Sequence, residues 1–246
     1  MHGPLTDEER YRFDLQGYLV RRNVLSSGEL RRLEIEVGAL RLPPAGSSIQ
    51  SQRFTGLVEA GGLLRDLMDD PAALDVLREI CGPFVRLDHS YGIVMAPSTG
   101  GLGLHGGGTP FDPAQYYMVH QGRIRTGLVA VQWALVDHEP GQGGFCCIPG
   151  SHRSAFGVPG TVGLEHDLVQ EVPMAAGDVV IFTEALTHGT MPWRAPYQRH
   201  TLIYKYSPGS SSYSPNPACR AEVLPELTDQ QRRLCQPPSV APREPV

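Results

Sequence analysis

The feature that most restricts the fold is an alternation of short apolar runs with glycine- and proline-rich segments from residue 84 onward. The chain has 246 residues, of which 28 are glycine and 22 are proline. Residues 179–182, Val-Val-Ile-Phe, form a four-residue apolar run of the kind that favours a strand buried on both faces. Short strands bounded by turn residues indicate a β-sandwich or barrel. We predict six strands, at 84–95, 126–136, 143–148, 168–173, 178–182 and 199–206.

Helix signals lie mostly before these strands. A Ser or Thr followed three residues later by Glu or Gln is a capping box, and Asp before Pro marks a helix start. Helices ahead of a run of strands predict a mainly β domain with N-terminal helices packed outside it. The four predicted starts are Thr6 with Glu9, Ser26 with Glu29, Asp70 before Pro71, and Thr228 with Gln231.

Charge and cysteine content argue against several classes of partner. With 21 Lys+Arg and 26 Asp+Glu, the net charge is −5 and there is no basic run, which disfavours nucleic acid and anionic membranes as partners. The N-terminus is polar and no apolar run is long enough to span a bilayer, so we expect a cytoplasmic protein. The five cysteines are odd in number and lack a C-x-x-C motif, which predicts reduced core thiols rather than a disulfide framework or zinc site.

The glycine-rich segment 101–108 matches two known motifs but lacks the context of either. The dinucleotide motif G-x-G-x-x-G must lead into a helix, whereas further glycines and Pro110 follow here. The esterase oxyanion motif needs a G-x-S-x-G elbow, and no serine of the chain has glycine on both sides at that spacing. Ser151 beside His152 leaves a hydrolase as a weaker alternative.

Two of the nine histidines stand in more demanding contexts than the loop and surface positions of the others. His105 lies in the glycine-rich segment, and His188 follows the apolar strand 178–182 after a short loop. Thr190 lies two residues after His188, and Arg199 lies eleven residues after it.

Six stretches in the second half of the chain then form an ordered set: Gln132–Asp137, Gly143–Phe145, Ile148–His152, Gly177–Phe182, His188–Thr190 and Arg199. In order and spacing they resemble the phytanoyl-CoA dioxygenase family of Fe(II)/2-oxoglutarate oxygenases, over roughly residues 6–206. The resemblance implies a double-stranded β-helix, a jelly roll of the cupin type. We expect one oxygenase domain over 1–246, in which 207–246 is a Pro- and Ser-rich C-terminal extension.

The resemblance also implies roles for individual residues. His105 and His188 would bind Fe(II), and Arg199 would pair with the distal carboxylate of 2-oxoglutarate, helped by Thr190. A planar guanidinium suits this task because it can grip a carboxylate with two hydrogen bonds. Gln132, if it points into the barrel, could also hydrogen-bond 2-oxoglutarate. The expected reaction uses O2 to oxidise a C–H bond of a small-molecule metabolite.

The sequence departs from the family pattern at one position. The family's first motif is H-x-D, but Gly107 stands two residues after His105. Three interpretations remain open. Gly107 could leave room for a halide such as chloride, as in halogenases of this type; Glu184 or Asp112 could supply the missing carboxylate to a hydroxylase; or the site could bind a ligand without catalysis. Glycine also has a purely conformational explanation, because it tolerates positive φ.

Overall fold

The computed structural model describes residues 3–40, 42, 51–109, 111–241 and 244–246. The strands are β1 (Tyr18–Arg21), β2 (Ser51–Phe54), β3 (Arg86–Met95), β4 (Leu102–His105), β5 (Tyr117–His120), β6 (Arg123–Thr126), β7 (Val129–Ala134), β8 (Gly144–Cys147), β9 (Gln170–Glu171), β10 (Val179–Thr183), β11 (His188–Met191) and β12 (Arg199–Ser207). The helices are α1 (Asp7–Gln16), α2 (Ser27–Ala39), α3 (Leu57–Ala60), α4 (Gly62–Asp66), α5 (Pro71–Ile80) and α6 (Asp229–Leu234), with 3-10 turns at Leu67–Asp69, Ser151–Arg153 and Ala221–Glu226.

The strands form two main antiparallel sheets. The larger sheet has the order β1-β10-β7-β12-β3-β2, and the smaller has the order β4-β11-β8-β9. A separate hairpin pairs β5 with β6. Neighbours in the sheets are distant in sequence, as in a double-stranded β-helix. The predicted mainly β jelly roll with helices outside it is therefore confirmed.

The larger sheet separates two apolar layers. Leu202 and Tyr204 of β12 and Trp133 of β7 pack with the helices in an outer core. Ile203 of β12 and residues of the smaller sheet pack in an inner core between the two sheets. Because side chains alternate along a strand, Gln132 faces inward and Trp133 outward. This alternation decides which polar side chains reach the inside of the barrel.

The predicted helix starts are confirmed. Thr6, Ser26 and Thr228 each accept a hydrogen bond from the backbone N–H three residues later, with the reciprocal Glu or Gln in place. Asp70 caps α5, with Pro71 at its first position. Helix α1 ends at Gly17, whose φ of 85° and close approach to the His152 ring both require glycine.

Strands β4 and β11 lie in segments where we predicted no strand. β4 is glycine-rich and mostly exposed, and β11 has four residues. Neither carries the apolar run or regular alternation by which strands are recognised in a sequence. These two strands carry His105 and His188, so their pairing builds the candidate site.

The cysteine prediction is wrong for two of the five residues. Cys219 and Cys235 form a disulfide across the C-terminal segment. Cys81, Cys146 and Cys147 are free and buried, as expected. Val223, Leu227 and Leu234 of the same segment belong to the outer core, so this extension packs against the barrel. Among the described residues, no helix is both long and apolar enough to cross a membrane.

Candidate metal and co-substrate site

Antiparallel pairing of β4 with β11 brings the two candidate histidines together. His105 lies directly opposite His188, and their ring centroids are 4.3 Å apart. His105 is exposed, whereas His188 is buried between the sheets against Phe182. Residues 83 positions apart in sequence therefore place both imidazoles in one small region.

Hydrogen bonds fix the proton of each imidazole on the same type of nitrogen. Nδ1 of His105 lies 2.9 Å from the Gly103 carbonyl oxygen, and Nδ1 of His188 lies 2.7 Å from that of Leu186. A carbonyl only accepts, so each Nδ1 carries a proton, and in the neutral form of each ring the lone pair lies on Nε2. A backbone partner on the second nitrogen is the usual arrangement of metal-binding histidines.

Burial keeps His188 neutral. Desolvation lowers its pKa to about 4, which outweighs the opposing effect of the Glu184 carboxylate. At neutral pH the ring is therefore unprotonated. Only the neutral ring can bind a metal, so burial favours the binding-competent form.

Glu184 lies beside this pair. It follows β10 and is buried, with Oε1 3.9 Å from Nε2 of His188. The same Oε1 accepts a hydrogen bond of 2.8 Å from Nζ of Lys205 on β12. Burial alone would raise the pKa of Glu184, but His188 and Lys205 together outweigh it, and the pKa lies below its usual value. A carboxylate anion therefore stands next to the neutral imidazole of His188.

This donor set fits ferrous iron in kind, although the Glu184 carboxylate stands slightly too far from His188 for the two to share one ion. Two imidazoles and one carboxylate are the ligands of the non-haem iron triad. Two donors with metal bonds of about 2.1 Å lie roughly 3 Å apart when the bonds meet at a right angle. Within the described ranges, no group of three His, Cys, Asp or Glu is already close enough to hold an ion. Closing on a metal would require Glu184 to move by about 1 Å.

The other carboxylate considered, Asp112, is engaged elsewhere. Its Oδ1 accepts a hydrogen bond from the Ala114 N–H within its own loop, at 2.7 Å. In the part of the chain that the structure describes, no contact joins Asp112 to either histidine. Of the two candidates, Glu184 is the one that the fold brings to the site.

The two glycines after His105 are required by the backbone. Gly106 and Gly107 have φ values of 77° and 98°, a region that residues with a side chain rarely adopt. A Cβ at Gly106 would come within 2.8 Å of the carbonyl oxygens of Glu184 and Leu186. The Gly107 N–H donates to the Glu184 carbonyl at 3.0 Å, so this turn holds the Glu184 backbone in place.

Arg199 presents a buried guanidinium to the inside of the barrel. Its Nη1 contacts Sδ of Met95 at 3.3 Å, and its Nε has no partner among the described residues. Desolvation lowers its pKa to about 10, so the group is still charged at neutral pH. A buried cation that lacks a carboxylate is unfavourable by itself, which suits a residue that binds an anionic ligand.

His138 shares this end of the barrel with Arg199. Neither of its ring nitrogens has a partner in the described part of the chain. Burial and the charge of Arg199 lower its pKa to about 3. A Cβ at Gly144 would approach His138 Nδ1 to 3.2 Å and Arg199 Nε to 3.6 Å, so glycine leaves the space beside both groups open.

Further unpaired polar atoms lie between Arg199 and the histidines. Thr201 Oγ1 and Gln132 Nε2 are buried without partners among the described residues, on the inward faces of β12 and β7. Thr190 lies on the same face of β11 as His188, two residues further along.

The distance between the two histidines and Arg199 can be estimated along β8. Cys147 pairs with His188, and Gly144 lies beside Arg199, three residues from Cys147. Three residues of strand span about 10 Å. A short dicarboxylate could reach from the histidines to the guanidinium over a distance of this order.

A cavity of about 560 Å³ reaches the exposed ring of His105. Its walls are residues 103–107, Thr109, Ser151, residues 156–160, residues 162–164 and Thr187. Most of these residues come from β4 and the segment that follows it, and from the segment after β8.

Other residues near these motifs have structural contacts. Arg153 forms an ion pair with Asp14 of α1 at 3.0 Å, and Nε2 of His152 contacts the Asp14 carbonyl at 3.2 Å. Tyr117 also donates to Asp14, at 2.6 Å. Ser151 accepts a hydrogen bond from the Thr187 N–H at 2.8 Å. These contacts hold α1 and the loop after β8 against the barrel.

Sequence reasoning missed three polar residues of the barrel interior. Thr201 could have been found from its position two residues after Arg199, which places both on one face of a strand. Lys205 extends the same series and is the only lysine of the chain. His138 had no comparable signal, because it lies in a turn between strands.

Comparison with known proteins is consistent with this geometry. A family model described as phytanoyl-CoA dioxygenase (PhyH) matches residues 13–201. The chain belongs to the phytanoyl-CoA dioxygenase family. A comparison with curated proteins finds no match. Membership in the phytanoyl-CoA dioxygenase family places the chain among the Fe(II)/2-oxoglutarate oxygenases.

Solved structures of this type are similar over most of the chain. HygX from Streptomyces hygroscopicus, with nickel and 2-oxoglutarate bound, is 26% identical with a TM-score of 0.77, over 89% of this chain and 94% of HygX. The carbocyclase SnoK from nogalamycin biosynthesis is 19% identical with a TM-score of 0.65, over 92% and 94%. EctD from S. alaskensis, with 2-oxoglutarate and 5-hydroxyectoine, is 21% identical with a TM-score of 0.63, over 85% and 78%. The last two likenesses concern the fold alone.

Proposed function

We propose that this protein is an Fe(II)/2-oxoglutarate-dependent oxygenase that hydroxylates, or otherwise oxidises at a C–H bond, a small-molecule metabolite. The observation that carries the proposal is the convergence of His105 and His188, whose Nδ1 atoms face backbone carbonyls, in a barrel that also buries Arg199. The Nε of Arg199 has no partner among the described residues. HygX, which is 26% identical, has been solved with iron and with 2-oxoglutarate, and this supports the same pair of cofactors here.

Three side chains would hold the metal. His105 and His188 would bind through Nε2, and Glu184 would supply the carboxylate that the H-x-D motif lacks. Iron bound in this way, with 2-oxoglutarate and O2, supplies the oxidising power for an unactivated C–H bond. The cavity beside His105 gives a small molecule access to that ring.

Arg199 would bind and orient 2-oxoglutarate by its distal carboxylate. Two parallel hydrogen bonds from the guanidinium fix both the position and the plane of a carboxylate. Thr201 and Gln132 offer further donors along the inward face, and Thr190 lies across the barrel on β11. These residues hold the co-substrate away from water, because all but Thr190 are buried.

The geometry at Gly107 favours oxidation over halogenation. A halogenase of this type needs a small residue because a halide takes the place of the carboxylate. Here positive φ and the hydrogen bond to the Glu184 carbonyl already account for glycine. Glu184, with Oε1 3.9 Å from Nε2 of His188, could supply the carboxylate ligand after a shift of about 1 Å. Chloride therefore has no role in our proposal, and halogenation remains the alternative that an assay with chloride would reveal.

Iron-dependent conversion of 2-oxoglutarate to succinate tests the proposal. We expect slow succinate release by the wild-type protein with Fe(II), and none after chelation or in a His105→Ala, His188→Ala double variant. His166→Ala is the matched control, because His166 is half exposed and paired with Asp167 rather than placed in the barrel. Turnover that survives in the double variant would refute the assignment. Titration calorimetry that finds no 2-oxoglutarate binding would do so as well.

A further inference from the structure

Lys205 is the only lysine among 21 basic residues, and it lies inside the barrel. Its side chain is 12% exposed, and it projects from β12 on the same face as Arg199 and Thr201. The other 20 basic residues are arginines. A cation that is chemically different from all the others therefore stands next to the candidate metal site.

The ammonium of Lys205 is directed at one atom. Nζ donates to Oε1 of Glu184 at 2.8 Å, and this is the oxygen that lies 3.9 Å from Nε2 of His188. The Glu184 side chain is 5% exposed, so few other partners can compete for this oxygen. A compact ammonium suits this position, because it binds a single oxygen as a point charge.

We propose that Lys205 is a positioning residue that holds the Glu184 carboxylate toward His105 and His188 as the third metal ligand. This inference rests on the proposed function. A buried carboxylate has several rotamers, and one hydrogen-bonded partner on a neighbouring strand selects among them. The backbone of Glu184 is fixed independently by the Gly107 N–H. The Glu184 N–H also donates to the Leu128 carbonyl at 2.9 Å, so the backbone is held by two hydrogen bonds and the side chain by Lys205.

Cobalt(II) affinity in the presence of 2-oxoglutarate tests this role. Titration calorimetry should compare the wild type with Lys205→Met, Glu184→Gln and the double variant. Loss of a residue that orients a ligand typically weakens metal binding ten- to a hundredfold, and we expect this for Lys205→Met. Because Lys205 acts through Glu184, the double variant should bind no more weakly than Glu184→Gln alone.

Two outcomes would overturn the proposal for Lys205. The first is cobalt affinity of Lys205→Met within threefold of the wild type. The second is an equal loss from Lys205→Met in the wild-type and Glu184→Gln backgrounds. Failure of the metal site itself looks different: the wild type would not bind cobalt, or His188→Ala would bind it equally well.

A second measurement needs no lysine variant, in case Lys205→Met does not fold. Protein labelled with ¹³C,¹⁵N-lysine should give one side-chain ammonium signal, because there is one lysine. Paramagnetic cobalt(II) should shift or broaden this signal in the wild type but not in His188→Ala. A signal that stays unchanged while cobalt binds would place Lys205 away from the metal and refute the proposal.

Discussion

Replacing Arg199 by methionine should have opposite effects on stability and on co-substrate binding. The guanidinium is buried, and no carboxylate among the described residues pairs with it. Its pKa falls to about 10 from a usual value above 12, and one pKa unit corresponds to about 1.4 kcal/mol. Folding therefore opposes this charge by on the order of 3 kcal/mol.

The sign of the stability change follows from the direction of the pKa shift. The charged form is less favourable in the folded than in the unfolded chain, so removing the charge removes a penalty. Methionine is apolar and flexible enough to fill most of the space next to Met95. We expect the melting temperature to rise, by about 2–4 °C for each kcal/mol regained in a domain of this size.

Binding of 2-oxoglutarate should change in the other direction. Removing one partner of a buried, hydrogen-bonded charge pair typically costs about 2–5 kcal/mol. Since about 1.4 kcal/mol is a factor of ten, the dissociation constant should increase roughly 30-fold to several thousandfold. Calorimetric titration of 2-oxoglutarate into the cobalt(II) form measures this directly.

Arg153→Met provides the matched control. Arg153 is half exposed and paired with Asp14 on α1, so its loss should change stability by less than about 1 kcal/mol and leave 2-oxoglutarate affinity unchanged. An Arg199→Met protein that melts at a lower temperature than the wild type would show that the guanidinium is structural. Unchanged 2-oxoglutarate affinity would refute its role in binding.

Three further predictions concern the turn, the buried histidines and the disulfide. Gly107→Asp restores the H-x-D motif but places a side chain on a residue with positive φ. It should therefore lower the unfolding free energy by about 1–2 kcal/mol in thermal melts, without tightening cobalt binding. The control Gly100→Asp lies in open space and should leave the unfolding free energy unchanged. His138 has a folded-state pKa of about 3, below its pKa of about 6.5 in the unfolded chain, so the protein loses stability as the pH falls below about 6.5. Between pH 7 and pH 5, the unfolding free energy measured in urea should fall by about 2 kcal/mol less in His138→Phe than in the wild type. The disulfide between Cys219 and Cys235 closes a loop with a sequence separation of 16. Its reduction should lower the unfolding free energy by about 3 kcal/mol. A melting curve that dithiothreitol leaves unchanged would contradict the presence of this bond.

Local signals in the sequence were sufficient for much of the fold. Capping boxes at Thr6, Ser26 and Thr228 predicted helix starts because a cap involves residues only three positions apart. The strand at 178–182 was evident from its continuous apolar run, and the observed strand β10 is Val179–Thr183. Features that depend on nearest neighbours in sequence can be read without knowing the tertiary structure.

The site itself depends on contacts that the sequence does not contain. His105 and His188 meet through strand pairing, and neither β4 nor β11 has a strand-like pattern. The choice of Glu184 over Asp112 as the candidate carboxylate required knowing that the loop after β10 brings Glu184 close to His188. The cysteine pairing was missed for the same reason, because five cysteines give no connectivity by themselves.

The position of β4 at the edge of the smaller sheet has a consequence for the metal-free protein. This strand pairs with β11 alone, through a ladder that is interrupted by a register shift next to His105. An ion bound by both His105 and His188 would link β4 to β11 in addition to their backbone hydrogen bonds. Without metal, the amide hydrogens of residues 102–105 should therefore exchange faster than those of the other strands in the two sheets. Proteases should also cleave first in this segment.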